Sequence, residues 1–170
     1  GLNPEHISCA AAAMANAKRT MFAGSGASAI VARDAENKFF RLGLACIALT
    51  DEPTIVQAAA TCTAEDVFVA ISKSGESRAL VDALRTAVRL GATGVAITTS
   101  GSALAIAASN AIPIDAEEDT ATFTPMTSRL AQLTVLDALQ VCTAIHAGRR
   151  ALDNLEASKS ALAGIEKFAS

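Results

Sequence analysis

Val67-Phe68-Val69-Ala70-Ile71, running directly into Ser72-Lys73-Ser74-Gly75-Glu76-Ser77, is the stretch on which the reading of this chain turns. An apolar run of strand length ends in a Ser/Gly turn. It then passes into Leu80, Val81, Leu84, Ala87 and Val88, which are apolar at helical spacing. A strand entering a helix through such a turn gathers unpaired backbone N–H groups, the positive end of a helix dipole and hydroxyl donors at one point. Those are the requirements for holding a phosphate.

The flanking segments repeat the same unit. Residues 20–23 form a short apolar strand that leads into Gly24-Ser25-Gly26-Ala27-Ser28, and a helix is expected over 28–42 with Ile30, Val31, Ala35, Phe39 and Leu42 inward. Gly43 reads as its stop. Residues 45–49 are wholly apolar and read as a second strand buried on both faces. A helix over 51–61 precedes the opening stretch. Beyond it come a helix over 77–90, a strand over 94–98, a short helix to about residue 107, and a strand over 111–114 that Pro113 marks as an edge. An Ala-rich helix over 4–18 opens the chain. After an acidic, aperiodic stretch over 115–124, residues 127–147 form a long helix that is apolar around most of its circumference, with a narrow polar stripe at Arg129, Gln132 and Gln140. Burial on two sides, the second supplied by a subunit interface, suits such a helix. Leu155, Leu162, Ile165 and Phe168 outline a weaker amphipathic tail helix.

Alternating apolar strands and helices of this length argue for an α/β fold, a parallel sheet between two helical layers. For five strands the order 2-1-3-4-5 is expected, with the switch point between strands one and three. The loops leaving those two strands are the two Gly/Ser loops, 24–28 and 72–77.

Composition narrows the classes. The 170 residues suit one domain, and 51% are apolar. With a net charge of −3 the chain is not a self-sufficient nucleic-acid or membrane module, and no Trp or Tyr offers a stacking platform. Cys9, Cys46, Cys62 and Cys142 are scattered, without metal-ligand spacing, and read as small buried hydrophobes in a reducing compartment. No cofactor and no metal are expected, and a cytoplasmic location is. The opening Gly1-Leu2-Asn3-Pro4, without a Met, reads as the start of a fragment of a longer chain.

Each site residue has a plainer reading beside the functional one. Ser77 alone reads as a helix cap. One cap, however, leaves Ser72, Lys73, Ser74 and Gly75 unexplained, so the loop is read as a phosphate cradle. Gly24 and Gly26 could serve only a tight turn, and Ser28 is either a cap or a donor into the crevice. Glu117, Glu118 and Asp119 read mainly as a solvated loop, with Glu118 as the carboxylate placed to reach sugar hydroxyls. Arg129 needs a partner, either a ligand carboxylate or a structural acid such as Asp137. Asn37, Lys38 and Arg41 read as intersubunit or surface contacts, and His6 and His146 as structural or exposed.

Gly24-x-Gly26-x-Ser28, then Asn37-Lys38-Phe39-Phe40-Arg41-Leu42-Gly43, Ser72-x-Ser74-Gly75-x-Ser77 and Ser100-x-Ser102-x-Leu104-Ala105 together resemble the sugar isomerase (SIS) domain over roughly residues 20–145. Ala103 departs from that pattern, where proline is common. Pro125-Met126-Thr127-Ser128-Arg129-Leu130, with Gln132 and Leu136-Asp137, looks most like the sensing domain of RpiR-type bacterial regulators. Within them it is most similar to the HexR-like subgroup, which answers to 2-keto-3-deoxy-6-phosphogluconate. The resemblance implies a flavodoxin-like three-layer sandwich as a single SIS domain spanning the chain. It also implies a phosphorylated sugar or sugar acid as effector, held by Gly26, Ser28, Ser72, Lys73, Ser74 and Ser77; the reading of the polar cluster adds Glu118 and Arg129 as candidate contacts toward the sugar end. It further implies a homodimer through the 127–147 helix, and DNA contact only through a separate N-terminal helix-turn-helix domain. SIS isomerases, such as the 6-phospho-3-hexulose isomerases of similar length, usually place a glutamate near the start of the long helix. This chain has Ser128-Arg129 there and no Glu within residues 119–155. Proton transfer between adjacent carbons needs a base, so a binder rather than an enzyme is expected.

Overall fold

The central strand is the apolar run of the opening stretch. The computed structural model describes residues 3–116 and 126–166. In it β3 (Asp66–Ile71) is buried along its whole length. It pairs in parallel with β1 (Arg19–Ala23) on one side and β4 (Thr93–Thr98) on the other, with Val69 opposite Phe22 and Val95. β2 (Cys46–Leu49) lies outside β1 and β5 (Asn110–Pro113) outside β4, which gives the all-parallel order 2-1-3-4-5. Pro113 sits on an edge strand, as expected.

The two-residue period of β3 divides the core. Val67, Val69 and Ile71 face a cluster shared with α1 (Pro4–Asn16), α2 (Ala27–Phe40) and α6 (Thr127–Ala147). Phe68 and Ala70 face a second cluster beneath α3 (Glu52–Ala59), α4 (Arg78–Arg89) and α5 (Ala103–Ala107). Phe22 and Phe39 anchor the first, their rings 5.1 Å apart and tilted by 50°. Burial of each such ring contributes about 2–3 kcal/mol. Arg19 and Asp66 close the N-terminal ends of β1 and β3 with two N–H donations to the carboxylate, at 2.9 and 3.2 Å. Burial alone would raise the Asp66 pKa. The Arg19 guanidinium and the Thr63 amide outweigh it and hold the carboxyl below its usual range. The stability it adds is therefore present at neutral pH and is lost as the pH falls through that lowered value.

β2 departs from the expectation of burial on both faces. It is an edge strand of four residues, and Ile47 is 44% exposed. An apolar run does not by itself distinguish a central strand from an edge. The open side of β2 is covered by α2, since Ala48 N donates to Glu36 Oε1 at 3.1 Å and the Cys46 thiol to Glu36 O. A charged side chain capping an outward N–H is a defence against strand addition. Glu36→Ala is expected to cost about 1–2 kcal/mol in urea denaturation and to increase self-association by light scattering. Unchanged values in both would refute that role.

α6 splits its apolar residues between two surroundings. Val135, Leu136 and Leu139 join the core, where α6 packs against α1 and α2, while Leu130, Val141 and Ile145 face outward. Length and composition alone would let α6 cross a membrane, but its inward face is part of the domain core. Lys38 joins α2 to α6 by pairing with Asp34 at 2.9 Å and with Asp137. That exposed intrachain clamp is a surface contact, one of the two roles expected of Lys38. α7 (Arg149–Glu166) starts against the core through Ala151 and Leu155, and Asn154 Nδ2 donates to Leu42 O beyond the end of α2. Its later residues Leu162 and Ile165 are exposed, so the tail does not pack along its whole length; Phe168 lies outside the described residues.

The cysteines only partly follow expectation. Cys62 is buried, Cys46 and Cys142 are half-buried, and Cys9 is exposed on α1. Burial pushes the Cys46 and Cys62 thiols up to about 11, so both stay protonated at neutral pH. His6 is structural, its Nδ1 lying 2.7 Å from Ala111 O, and His146 is exposed with Nε2 near Ser8 Oγ.

Candidate functional site

Two strand-to-helix loops and the start of α6 meet at the C-terminal edge of the sheet. The first loop, 24–26, joins β1 to α2. A Cβ on Gly24 would lie 2.7 Å from Ser28 O, so only glycine lets the first turn of α2 fold this tightly onto the strand end. Gly26 occupies the N-cap position with φ 58°. Ser28 is therefore the second residue of the helix and not its cap. Its amide donates to Ser25 O at 3.1 Å, and its side chain lines a cavity.

The second loop is stapled from both sides. Ser72 N donates to Ile97 O, Thr99 donates to Lys73 O through both its amide and its hydroxyl, and Leu104 N donates to Gly75 O. Glu76 caps α5 by accepting from Ala103 N at 3.1 Å. Ser72 Oγ accepts from Gly75 N at 3.1 Å and Ser74 Oγ from Glu76 N at 3.4 Å. A hydroxyl that accepts within the loop keeps its own hydrogen for a ligand. Ser77 Oγ accepts from Leu80 N, which makes it the cap of α4; neither Ser77 nor Gly26 lines the cavity.

The cavity measures about 290 Å³, at the small end of the ~300–1,000 Å³ range of ligand sites. Ser25, Ala27 and Ser28 form one wall and Ser72, Lys73 and Ser74 the second, while α6 supplies Ser128, Arg129 and Gln132. Two cations line it, and among the described residues no carboxylate does. Asp137 is not the partner of Arg129. It is eight residues further along α6, roughly 12 Å at 1.5 Å per residue, and it is held by Lys38. Arg129 forms no ion pair among the described residues. Glu118 lies outside the described residues.

Sequence reasoning left out Ser25, Ser128 and Gln132 as site residues. Gln132 carried a signal: a polar residue on the inward face of a helix, 3% exposed in the structure. A larger cavity of about 470 Å³ lies between α6 and α7, but Val141, Ala144, Ile145, Leu152 and Leu155 make it mainly apolar. It lacks the dense donors that an anion requires.

The SIS domain family model matches residues 13–142. The chain is 38% identical over 161 residues to the HTH-type transcriptional regulator HexR of Escherichia coli, covering 95% of this chain and 56% of that regulator. It therefore spans little more than half the length of that relative. Among solved structures, the Vibrio vulnificus NanR protein complexed with ManNAc-6P superposes with a TM-score of 0.88 at 19% identity, over 96% of this chain and 62% of that one. The sugar isomerase domain of an RpiR transcription factor from Sphaerobacter thermophilus superposes at 0.81 with 24% identity, over 94% and 88%. Sheet order, paired loops and family match agree: the chain belongs to the SIS domain family, with its sequence likeness to the HexR regulators.

Proposed function

We propose that this chain is the ligand-sensing domain of a bacterial, cytoplasmic transcriptional regulator of sugar metabolism. Its effector is a phosphorylated sugar or sugar acid resembling 2-keto-3-deoxy-6-phosphogluconate. The observation that carries this reading is the convergence of two hydroxyl-rich loops at helix N-termini with Lys73 and Arg129, and no described carboxylate, around one small cavity. Such a site favours a dianion by donor density and field. Likeness to HexR, itself of the HTH type, and a fold shared with NanR bound to ManNAc-6P support it.

In this reading Ser28, Ser72, Lys73 and Ser74 hold the phosphate, and Arg129 faces the other end. Gly26 and Ser77 act through the backbone, shaping helix starts that point toward the anion. DNA is contacted by a separate helix-turn-helix domain. The outward Leu130, Val141 and Ile145 of α6 form the dimer seam, and effector binding shifts DNA affinity by favouring one quaternary arrangement. The alternative, an isomerase of the 6-phospho-3-hexulose type, needs a base near the start of α6, where this chain presents Ser128 and Arg129. Residues 117–125, which include Glu117 and Glu118, lie outside the described residues.

Thermal shift tests both readings. A phosphorylated sugar acid at a hundredfold excess over Kd is expected to raise Tm by roughly 5–10 °C, and its unphosphorylated counterpart to leave Tm unchanged. Equal shifts would remove the phosphate site from the reading. Turnover of ketose or aldose phosphates would establish the isomerase instead.

A further inference from the structure

The register of the central strands shows where the 72–77 loop leaves the sheet. β3 and β4 pair with Ile71 opposite Ile97, and Ser72 N continues the ladder to Ile97 O at 3.1 Å. A regular parallel ladder would return from Thr99 N to Ser72 O. Thr99 N reaches Lys73 O instead, at 3.2 Å, and Thr99 Oγ1 donates to the same oxygen at 2.7 Å. Two donors on one carbonyl fix the plane of the Lys73–Ser74 peptide. That peptide is trans, so its N–H, on Ser74, points away from the carbonyl and hence away from Thr99. Thr99 itself does not line the cavity, whereas Ser72, Lys73 and Ser74 do. Its turn is anchored from the opposite side. Asp115, just beyond β5, accepts from Ser100 N at 2.8 Å and from Ser100 Oγ at 2.6 Å. Those two donations hold the Asp115 carboxyl below its usual range.

We propose that Thr99 is a positioning residue for this loop: through the Lys73 carbonyl it turns the Ser74 N–H toward the anion, and Asp115 holds the turn that carries it. The inference rests on the phosphate reading of the two loops and adds a residue that acts from outside the cavity. A loop amide serves an anion best when it is aimed before the anion arrives, because ordering a peptide on binding consumes affinity. Without the Thr99 hydroxyl, Lys73 O keeps one donor, the Thr99 amide at the longer distance. The peptide plane then gains freedom. Serine at this position keeps the hydroxyl, whereas valine keeps the shape of threonine and loses it. The two substitutions therefore separate the donated hydrogen bond from the packing of the side chain.

The test is isothermal titration of the chain and its variants with inorganic phosphate, together with the Ser74 amide signal in proton–nitrogen correlation spectra. Thr99→Val is expected to weaken phosphate about tenfold, the upper end for one net hydrogen bond. It should also remove most of the downfield shift that phosphate induces in the Ser74 amide proton. Thr99→Ser is expected to bind phosphate within about twofold of the unaltered chain and to keep that shift. Asp115→Ala is the second variant, at a position that is exposed and does not line the cavity. A loss of about threefold is expected there, with Tm changed by less than about 2 °C. A purely structural Thr99 would lower Tm in Thr99→Val and leave the phosphate affinity and the Ser74 shift unchanged, and that result overturns the proposal. Equal losses in Thr99→Val and Thr99→Ser, or unchanged affinity in Asp115→Ala, overturn it as well. Failure of the unaltered chain to bind inorganic phosphate would instead bring down the phosphate reading of the loops, and this inference with it.

Discussion

Gly75→Ala is expected to lower the unfolding free energy by about 3 kcal/mol. Gly75 has φ +68°, a conformation that costs an L-residue roughly 1–2 kcal/mol. A Cβ there would also overlap Ser102 Oγ and Thr98 Oγ1 and come within 2.6 Å of Ser102 Cβ. Both hydroxyls are buried and share a hydrogen bond of 3.3 Å beneath the loop. Making room for one methyl in such a packed place costs about 1–3 kcal/mol more. Urea denaturation measures the sum, and a value within ~0.5 kcal/mol of the parent chain, the usual range for a neutral surface change, would refute the argument. Ligand affinity should fall together with stability, because Gly75 O and the Glu76 carboxylate, accepting from Leu104 N and Ala103 N, are what staple the loop to α5.

Ser74→Asp is expected to separate binding from folding. Ser74 is exposed at the cavity rim, and its hydroxyl accepts only a long bond from Glu76 N. A carboxylate there should change stability by no more than ~0.5 kcal/mol. Facing a phosphate dianion at about 5 Å, it should cost at least ~3 kcal/mol of binding, roughly a hundredfold in Kd. Titration with a phosphorylated sugar acid measures the loss, and retention of affinity within threefold would place the phosphate elsewhere. The two variants are complementary, since Gly75→Ala acts on the loop's shape and Ser74→Asp on its charge.

Most of the sheet was legible because its rules are local. An apolar run, a Gly/Ser turn and helical spacing recur along the chain, and the connection rules for parallel strands restrict their order. What escaped was context. The expected strand order already set the apolar run 45–49 at the edge, but its pattern gave no sign that Ile47 would be exposed there, and the device that covers it, Glu36, lies in a different element. The cap at Ser77 followed from its own sequence, whereas Ser28 does not cap because Gly26 takes that position two residues earlier. Lys38 and Asp137 are separated by 99 residues and meet only because α2 and α6 pack together. Gln132 was visible as a polar residue on a mostly apolar helix. Its place in the cavity depends on how α6 is set against the loops, which no spacing encodes.

The sheet order also bears on how quickly the chain can reach this structure. β1 and β3 are neighbours, yet Arg19 and Asp66, which pair at their ends, are 47 residues apart. The sheet's central pairing therefore waits until the intervening chain has closed a long loop, while α2, β2 and α3 between them can form on local information. Non-local pairing of this kind places folding toward the slow side of small domains, in the range of milliseconds to seconds. Until β3 is seated, β1 has an uncovered inner edge, and that interval is when the nascent domain is most exposed to pairing with another copy.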